Sequence, residues 1–260
     1  MAALRAESTG EGDTLVLAHG FTQTGRLWGE FGAILGKRRR LVAVDLPGHG
    51  ASSNVVADLV EGATLLAQAV LVERFDLLGY SLGARFALHC ALANPKKVRR
   101  LVLIGATAGI EDDGAREARR LVDEERAAEL DHARDVSAFI SRWLQMPMFA
   151  GLDPEHAGAA ERLKNTPSGL ASSLRLAGVG TQAPLWTELA RLAMPVLVVA
   201  GERDLPYTEL GSRIAAGVPD GHFAVVPGAG HAAHLEAPAA SAQVVERWLL
   251  RTSPRTRPNP

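Results

Sequence analysis

The chain has little cysteine, almost no net charge and no long apolar run, and each absence removes a class of protein. Only one of its 260 residues is cysteine, so no internal disulfide can form, and Cys90 is more typical of a buried core residue than of a reactive thiol. A formal net charge of −1 with mixed signs gives no electrostatic basis for binding nucleic acid or an anionic membrane surface. No apolar stretch is long enough to span a bilayer, and the opening residues lack the apolar centre of a signal peptide. We therefore expect a cytoplasmic protein without nucleic-acid or membrane partners.

The sequence also lacks the patterns that bind common cofactors. It contains neither a cluster of metal-ligating residues nor a dinucleotide-binding fingerprint, so we predict no metal and no organic cofactor. Its hydrophobic residues make up 47% of the chain, which is enough for a large core. The sequence gives no indication of the oligomeric state.

The stretch from Phe75 to Arg85 contains the pattern Gly-x-Ser-x-Gly. An apolar run precedes it and predicts a buried strand, and apolar residues at helical spacing follow from Phe86 to Ala93. A strand, a tight turn and a helix in this order form a nucleophile elbow, in which the glycines let helix and strand approach closely. Ser81 is therefore the candidate nucleophile, with its hydroxyl held above the sheet.

Apolar runs alternate with helical patterns along most of the chain. The predicted strands are Thr14–Ala18, Leu41–Val44, Phe75–Leu78, Arg100–Ile104, Pro195–Ala200 and His222–Val226, and further helices are predicted at Trp28–Leu35, Val56–Glu73, Tyr207–Ala216 and Pro238–Leu250. Continuously apolar strands are typical of parallel sheets that are covered on both faces. We therefore predict the α/β class, with a mostly parallel sheet and helices on both faces.

Residues 106–190 have a different character, because charges recur at helical spacing, prolines interrupt the pattern and no good strand occurs. We predict that these residues form an inserted helical cap over a core made of residues 1–105 and 191–250. Residues 251–260 lack apolar anchors and are predicted to be a disordered tail.

Two other polar features have simple interpretations. The basic run from Lys37 to Arg40 could bind phosphate, but a solvated helix end with cations at the favourable pole of the helix dipole is the preferred interpretation. His49 lies in a turn rich in glycine and proline, where a structural histidine is more typical than a catalytic base.

A serine hydroxyl needs a histidine to take its proton and an acid to orient that histidine. The elbow architecture predicts the order serine, acid, histidine, with acid and histidine after late strands. Asp204 follows one such strand, with Glu202 as its rival, and His231 follows the next, with His234 nearby as a packing or solvent-facing histidine. We predict the triad Ser81, Asp204 and His231. The backbone N–H groups of Phe21 and Leu82 are the expected oxyanion donors.

With these motifs in order, the chain resembles the α/β-hydrolase superfamily over nearly its whole length. The residues that carry the resemblance are His19-Gly-Phe21, Asp45-Leu-Pro-Gly-His-Gly50-x-Ser52, Gly79-Tyr-Ser-Leu-Gly83, Gly201-Glu-x-Asp204 and Gly230-His231. The predicted cap also resembles the 2-succinyl-6-hydroxy-2,4-cyclohexadiene-1-carboxylate (SHCHC) synthases of menaquinone biosynthesis. Its matching stretches are Trp143-Leu-Gln-Met-Pro-Met-Phe149 and the run from Arg162 to Trp186.

The second resemblance implies a carbon–oxygen lyase that eliminates pyruvate from an enolpyruvyl cyclohexene with several carboxylates. It implies that the triad abstracts a proton and that arginines hold a small polycarboxylate substrate. On this sequence the implied substrate-binding residues are Arg85, Arg119, Arg162, Tyr80 and Trp143.

Two other functions stay open at this point. The first alternative is a carboxylesterase or related hydrolase, which would use the same triad. The second is a catalytically silent fold that binds a ligand, although the complete set of triad residues argues against it. Only the arginines separate the lyase from the esterase, because an esterase for neutral acyl groups would more naturally line its cavity with apolar side chains.

Overall fold

The computed structural model describes residues 3–252. Within this range seven strands form one sheet: β1 (Ala6–Thr9), β2 (Thr14–Ala18), β3 (Arg40–Val44), β4 (Phe75–Tyr80), β5 (Val98–Ile104), β6 (Val196–Gly201) and β7 (Gly221–Val226). Their spatial order is β1-β3-β2-β4-β5-β6-β7. All neighbouring pairs are parallel except β1 with β3. The predicted mostly parallel sheet is therefore confirmed.

Helices connect the strands and cover both faces of the sheet. They are α1 (Gly29–Gly36), α2 (Leu59–Gln68), α3 (Leu82–Ala93), α4 (Asp113–Asp131), α5 (Ser137–Leu144), α6 (Ala159–Arg162), α7 (Pro167–Ala177), α8 (Leu205–Gly217), α9 (Ala233–Glu236) and α10 (Pro238–Arg251). Every residue of β2, β4 and β6 is buried, because one apolar cluster lies on each side of the sheet. No helix among residues 3–252 is both long and apolar enough to cross a membrane.

The first strand is absent from the sequence-based prediction. β1 has only one neighbour in the sheet, runs antiparallel to it, and has half of its residues exposed. A short edge strand of this kind has no continuous apolar run, so hydrophobic patterning does not reveal it.

The residues between β5 and β6 contain helices α4 to α7 and no strand. Helix α4 packs against α7, and apolar side chains from α4, α5 and α7 form a small separate cluster. The helical character predicted for this segment is therefore observed. The division of the chain into core and cap at residues 105 and 191 stays a prediction.

A buried ion cluster corrects two of the sequence-based expectations. Asp76 in β4 is fully buried and accepts hydrogen bonds from Arg100 Nε at 2.9 Å and Nη2 at 2.6 Å. Arg39 lies 3.6 Å from the same carboxylate and is itself buried. The basic run is thus not a wholly solvated helix end, because Arg39 turns inward to this carboxylate.

The same cluster fixes the end of the last helix. Arg100 Nη1 donates to the carbonyl of Leu249 at 2.5 Å and to that of Thr252 at 2.9 Å. Arg251 is the last residue of α10. Residues 251 and 252, predicted to belong to a disordered tail, are therefore ordered, and residues 253–260 of the predicted tail lie outside the described part of the chain.

We expect Asp76→Asn to destabilise the fold strongly, because buried guanidiniums would lose their only buried carboxylate. Removing one partner of a buried ion pair costs about 3–5 kcal/mol. The free energy of unfolding, measured in urea, tests this. The matched control is Asp13→Asn, since Asp13 also pairs with an arginine, Arg99, but its side chain is 59% exposed, so a loss below about 1 kcal/mol is expected. Similar losses in both variants would contradict the structural role of Asp76.

Candidate active site

The turn at Ser81 is strained, and two glycines make it possible. Ser81 has φ 52° and ψ −108°, in a region that non-glycine residues rarely occupy. A Cβ atom on Gly79 would lie 2.3 Å from the carbonyl oxygen of Gly83, and one on Gly83 would lie 2.0 Å from that of Ala18. Helix α3 therefore approaches both β4 and β2 at distances that only glycine permits, and the serine is held at the carboxyl end of β4.

Three side chains from separate parts of the chain meet at this turn. His231 Nε2 lies 3.0 Å from Ser81 Oγ, and His231 Nδ1 lies 2.7 Å from Asp204 Oδ2. The Nδ1–H group donates to the carboxylate, which leaves Nε2 free to accept the serine proton. Asp204 directly precedes α8, and His231 lies in the loop after β7. The geometry is that of a serine, histidine and aspartate triad.

The two rival residues have other contacts. Glu202 Oε2 accepts a hydrogen bond from the Gly228 N–H at 2.7 Å and does not contact the histidine. His234 is fully buried and packs against the rings of Trp28 and Tyr80, at centroid distances of 5.3 and 4.3 Å. Glu202 therefore supports the loop that carries His231, whereas His234 is a packing residue, and the hydrogen-bond partners of His231 are Asp204 and Ser81.

Two residues whose backbone amides are predicted oxyanion donors lie beside Ser81. Leu82 is the first residue of α3, where N–H groups have no acceptor within the helix and lie at the positive end of its dipole. Leu82 and Phe21 line the same cavity as Ser81. Both residues are therefore near the candidate nucleophile, and the donor role of their N–H groups stays a prediction.

The loop that carries Phe21 is held by residues of the segment between β5 and β6 that contains α4 to α7, here called the helical insertion. Thr22 has φ 66°, and its carbonyl accepts a hydrogen bond from Asn165 Nδ2 at 2.7 Å. Arg162 is 1% exposed, and its guanidinium donates to the Thr22 hydroxyl and, at 3.4 Å, to the Phe21 carbonyl. Arg162 does not line the cavity, in contrast to its predicted role, because Nη1 is directed at this loop and Nε donates to the Ala157 carbonyl at 2.8 Å. Its contacts hold the loop of Phe21 in place.

Two buried histidines connect the same loop to the turn after β3. The Nδ1–H of His19 donates to the Gly20 carbonyl, and its Nε2 accepts from the Leu46 N–H at 3.0 Å. His49 likewise donates to the Pro47 carbonyl and accepts from the Thr22 N–H at 3.3 Å. Burial lowers the pKa of His19 to about 4 and that of His49 to about 3. Both rings are neutral structural groups, as predicted for His49.

The cavity above Ser81 has a volume of about 170 Å³ and a cationic wall. Arg85 lies on α3 one turn after the serine and is buried, with Nη1 donating to the Ala177 carbonyl at 2.6 Å. Burial lowers the pKa of its guanidinium to about 10, so it remains charged at neutral pH. No carboxylate of residues 3–252 forms an ion pair with Arg85.

Helix α4 adds three charged groups on one face. Arg119 Nε donates to Asp123 Oδ1 at 2.9 Å, and Arg126 Nη1 lies 3.9 Å from the same oxygen. The three residues line the cavity together with Trp143. Their spacing of four and three residues places them on the same side of a helix, and this pattern could have revealed Asp123 and Arg126, which sequence reasoning did not assign to the site.

Two tyrosines pack against the His231 ring, and only one of them lines the cavity. Tyr80 is 3% exposed, packs against the His231 ring at 5.5 Å and does not line the cavity, in contrast to its predicted substrate contact. Tyr207 does line the cavity, with its ring 4.4 Å from that of His231. No sequence signal singled out Tyr207, because it enters the site through the packing of α8.

No group of three or more histidine, cysteine, aspartate or glutamate side chains in residues 3–252 is arranged to hold a metal ion. The charged groups that line the cavity are three guanidiniums and one carboxylate. Such a wall can bind an anionic organic molecule directly through charge-assisted hydrogen bonds.

The chain is similar to known proteins in both sequence and backbone structure. Residues 15–244 match the model of the alpha/beta hydrolase family. The 2-succinyl-6-hydroxy-2,4-cyclohexadiene-1-carboxylate synthase of Serratia proteamaculans (strain 568) is 31% identical over 96% of this chain and 99% of its own length. The structure of MenH from S. aureus superposes with a TM-score of 0.87 at 27% identity, covering 96% of this chain and 98% of that one.

A solved esterase is also similar. The thermophilic esterase from Thermogutta terrifontis gives a TM-score of 0.80 at 26% identity and covers 95% of this chain and 93% of that one. Backbone similarity therefore extends to proteins of more than one activity, and the side chains of the site must separate them.

We expect Ser81 to react with a fluorophosphonate probe, because its hydroxyl is hydrogen-bonded to His231 and lines an open cavity. Asp204→Asn should slow labelling by about a hundredfold or more, since the imidazole would adopt the wrong tautomer. Glu202→Gln is the matched control and should label at the normal rate. Labelling can be followed by intact mass, and a slower reaction in the Glu202 variant than in the Asp204 variant would reassign the acid.

The two neutral histidines predict a pH dependence of stability. In the unfolded chain a histidine takes up its proton near pH 6.5, whereas burial lowers the folded-state pKa of His19 and His49 to about 4 and about 3. The free energy of unfolding that the two neutral histidines contribute is fully present above pH 6.5. It is lost as the pH falls toward 4, by up to about 1.4 kcal/mol per pH unit for each histidine. Urea unfolding at pH 7 and pH 5 measures this. A free energy of unfolding that is the same at both values would contradict it.

Proposed function

The chain belongs to the alpha/beta hydrolase family, and we propose that it is a lyase of menaquinone biosynthesis that eliminates pyruvate from 2-succinyl-5-enolpyruvyl-6-hydroxy-3-cyclohexene-1-carboxylate. The observation that carries this proposal is the cationic wall around Ser81. The names of its curated relatives support the same reaction, since SHCHC is the product of that elimination.

The charge of the cavity fits a substrate with several carboxylates. Three guanidiniums, those of Arg85, Arg119 and Arg126, line it against the single carboxylate of Asp123, which leaves an excess of two positive charges. Guanidiniums bind carboxylates through paired, planar hydrogen bonds, and they keep their charge when partly buried. A cavity that selected neutral acyl groups would gain nothing from this excess and would carry its desolvation cost.

Arg85 gives the most specific support. Its buried guanidinium has one hydrogen bond, to a backbone carbonyl, and no ion pair with any carboxylate of residues 3–252. A buried positive charge without a carboxylate partner destabilises the free protein. An anionic substrate would remove that cost, so the arrangement favours carboxylate binding next to the reacting centre.

The proposed reaction follows from the positions of these groups. Ser81 removes the proton from the ring carbon that bears the succinyl ketone, while its own hydroxyl proton passes to His231 Nε2. The electron pair of that C–H bond shifts through the ring double bond and breaks the C–O bond to the enolpyruvyl group. Pyruvate leaves as its enolate, and the proton held by His231 is returned to it, which restores the neutral histidine. The developing charge on the ketone oxygen would accept hydrogen bonds from the Phe21 and Leu82 amides, as in other oxyanion holes.

A carboxylesterase is the second candidate, and the complete triad favours it. The same Ser81 hydroxyl could attack an ester carbonyl, with the same amides binding the tetrahedral oxyanion. The two reactions share every catalytic group, so only the substrate preference separates them. Assay of the purified protein on the enolpyruvyl substrate and on simple p-nitrophenyl esters decides between them. Turnover of the esters alone would replace the proposed function by the esterase.

We expect Arg85→Ala to lower kcat/KM for the polycarboxylate by about thirtyfold or more, because the loss of one buried charge pair leaves a carboxylate unpaired. Arg85→Lys should recover only part of the loss, since an ammonium group lacks the planar pair of donors. Turnover of a small neutral ester serves as the internal control and should change little in either variant. Equal losses for acid and ester would contradict a role for Arg85 in carboxylate recognition.

A further inference from the structure

One guanidinium in the cavity wall has no acceptor of its own. Arg126 lines the cavity that contains Ser81, and its side chain is 27% exposed. Its nearest carboxylate among residues 3–252 is Asp123, whose Oδ1 lies 3.9 Å from Nη1. This distance allows a charge interaction but is too long for a hydrogen bond.

The oxygens of Asp123 are already used by other donors. Oδ1 accepts from Arg119 Nε at 2.9 Å, and Oδ2 accepts from the Gly180 N–H at 3.3 Å. Asp123 itself is almost completely buried, with 2% of its side chain exposed. It therefore fixes Arg119 firmly and leaves the donors of Arg126 available to another group.

An aromatic ring orients the free guanidinium. The Arg126 guanidinium carbon lies 5.5 Å from the centroid of the Trp143 ring, within the range of a cation–π interaction. Trp143 in turn packs at 5.0 Å from the ring of Phe21, the residue that carries one oxyanion donor. The positive charge is thus held at a defined place on the side of the cavity formed by the helical insertion.

Two further effects act on Arg126 in the free protein. Desolvation by burial lowers the pKa of its guanidinium, and the neighbouring charge of Arg119 acts in the same direction. A carboxylate bound to the guanidinium would favour its charged form and so oppose both effects. The positive charge of Arg126 is therefore not fully compensated in the free protein.

From these contacts we infer that Arg126 and Trp143 form a second carboxylate subsite, which binds a carboxylate of the substrate other than the one held by Arg85. This inference rests on the proposed function and adds to it the residue that selects for a second acidic group. Arg126 lies on α4, whereas Arg85 lies on α3 beside the nucleophile. The two guanidiniums would thus bind two carboxylates of one substrate from two different helices. A monocarboxylate would leave one of the two guanidiniums without a partner, and the site would therefore select against it.

The subsite can be tested with a stable probe and its truncated forms. The probe is 2-succinylbenzoate, which carries a ring carboxylate and a side-chain carboxylate, and the truncated forms are 2-butanoylbenzoate and 4-oxo-4-phenylbutanoate, each with one carboxylate fewer. We expect Arg126→Gln to weaken binding of the full probe by about tenfold or more, measured by calorimetry, since hydrogen bonds between charged groups contribute strongly to affinity. The truncated probe that lacks the partner carboxylate should bind wild type and variant equally.

Arg120→Ala is the matched control, because Arg120 lies on the same helix, is exposed and pairs with Glu117. It should bind all three probes as the wild type does. In turnover, Arg126→Gln should raise KM with little change in kcat, as expected for a contact remote from the reacting bond.

The outcomes separate this inference from the proposed function. Equal affinity of wild type and Arg126→Gln for 2-succinylbenzoate, with normal turnover of the enolpyruvyl substrate, would overturn the subsite alone. No turnover of that substrate by the wild-type protein would overturn the proposed function, whichever affinity the probes show. A loss of affinity in the Arg120 control as large as that in the Arg126 variant would attribute the effect to helix α4 in general and also overturn the subsite.

Discussion

The close contact between β4 and α3 at Ser81 is the constraint on which the rest of the structure depends. The serine can adopt its strained backbone only because glycines on either side let two backbones approach at distances that a Cβ atom would block. The turn places the Ser81 hydroxyl within hydrogen-bond distance of His231 and puts Leu82 at the start of α3. One backbone feature therefore positions the candidate nucleophile, and its strain lies at the candidate active site.

The protein buries arginines in two opposite ways. Near the amino end of β4, the negative charge of Asp76 compensates the positive charges of Arg39 and Arg100. Arg100 also donates a hydrogen bond to the last turn of α10. At the other end of the sheet, Arg85 is buried with a backbone carbonyl as its hydrogen-bond acceptor. A charge that is compensated internally contributes to the fold, whereas a charge that is not compensated is available to a ligand. This contrast is the physical basis for distinguishing structural from substrate-binding arginines in this chain.

The helical insertion contributes to the catalytic geometry as well as to the cavity wall. Arg162 and Asn165 bind the loop that carries Phe21 and hold Thr22 in its left-handed conformation. A displacement of these helices would thus move Phe21 along with the cavity wall. The resemblance implied a substrate contact for Arg162. The contacts instead show that the same side chain holds the loop of Phe21.

The sequence by itself determined the sheet class, the nucleophile elbow and the three triad residues, because these depend on local patterns of apolar runs, glycines and chain order. It also predicted that arginines would line the cavity, and Arg85 and Arg119 do so. Only the tertiary structure decided that Arg162 faces the oxyanion loop, that Arg39 turns inward to Asp76, and that Arg126 has free donors over Trp143. The physical reason is that the role of a guanidinium depends on which acceptors lie within hydrogen-bond distance. These acceptors come from residues far away in the sequence, so no local pattern contains them.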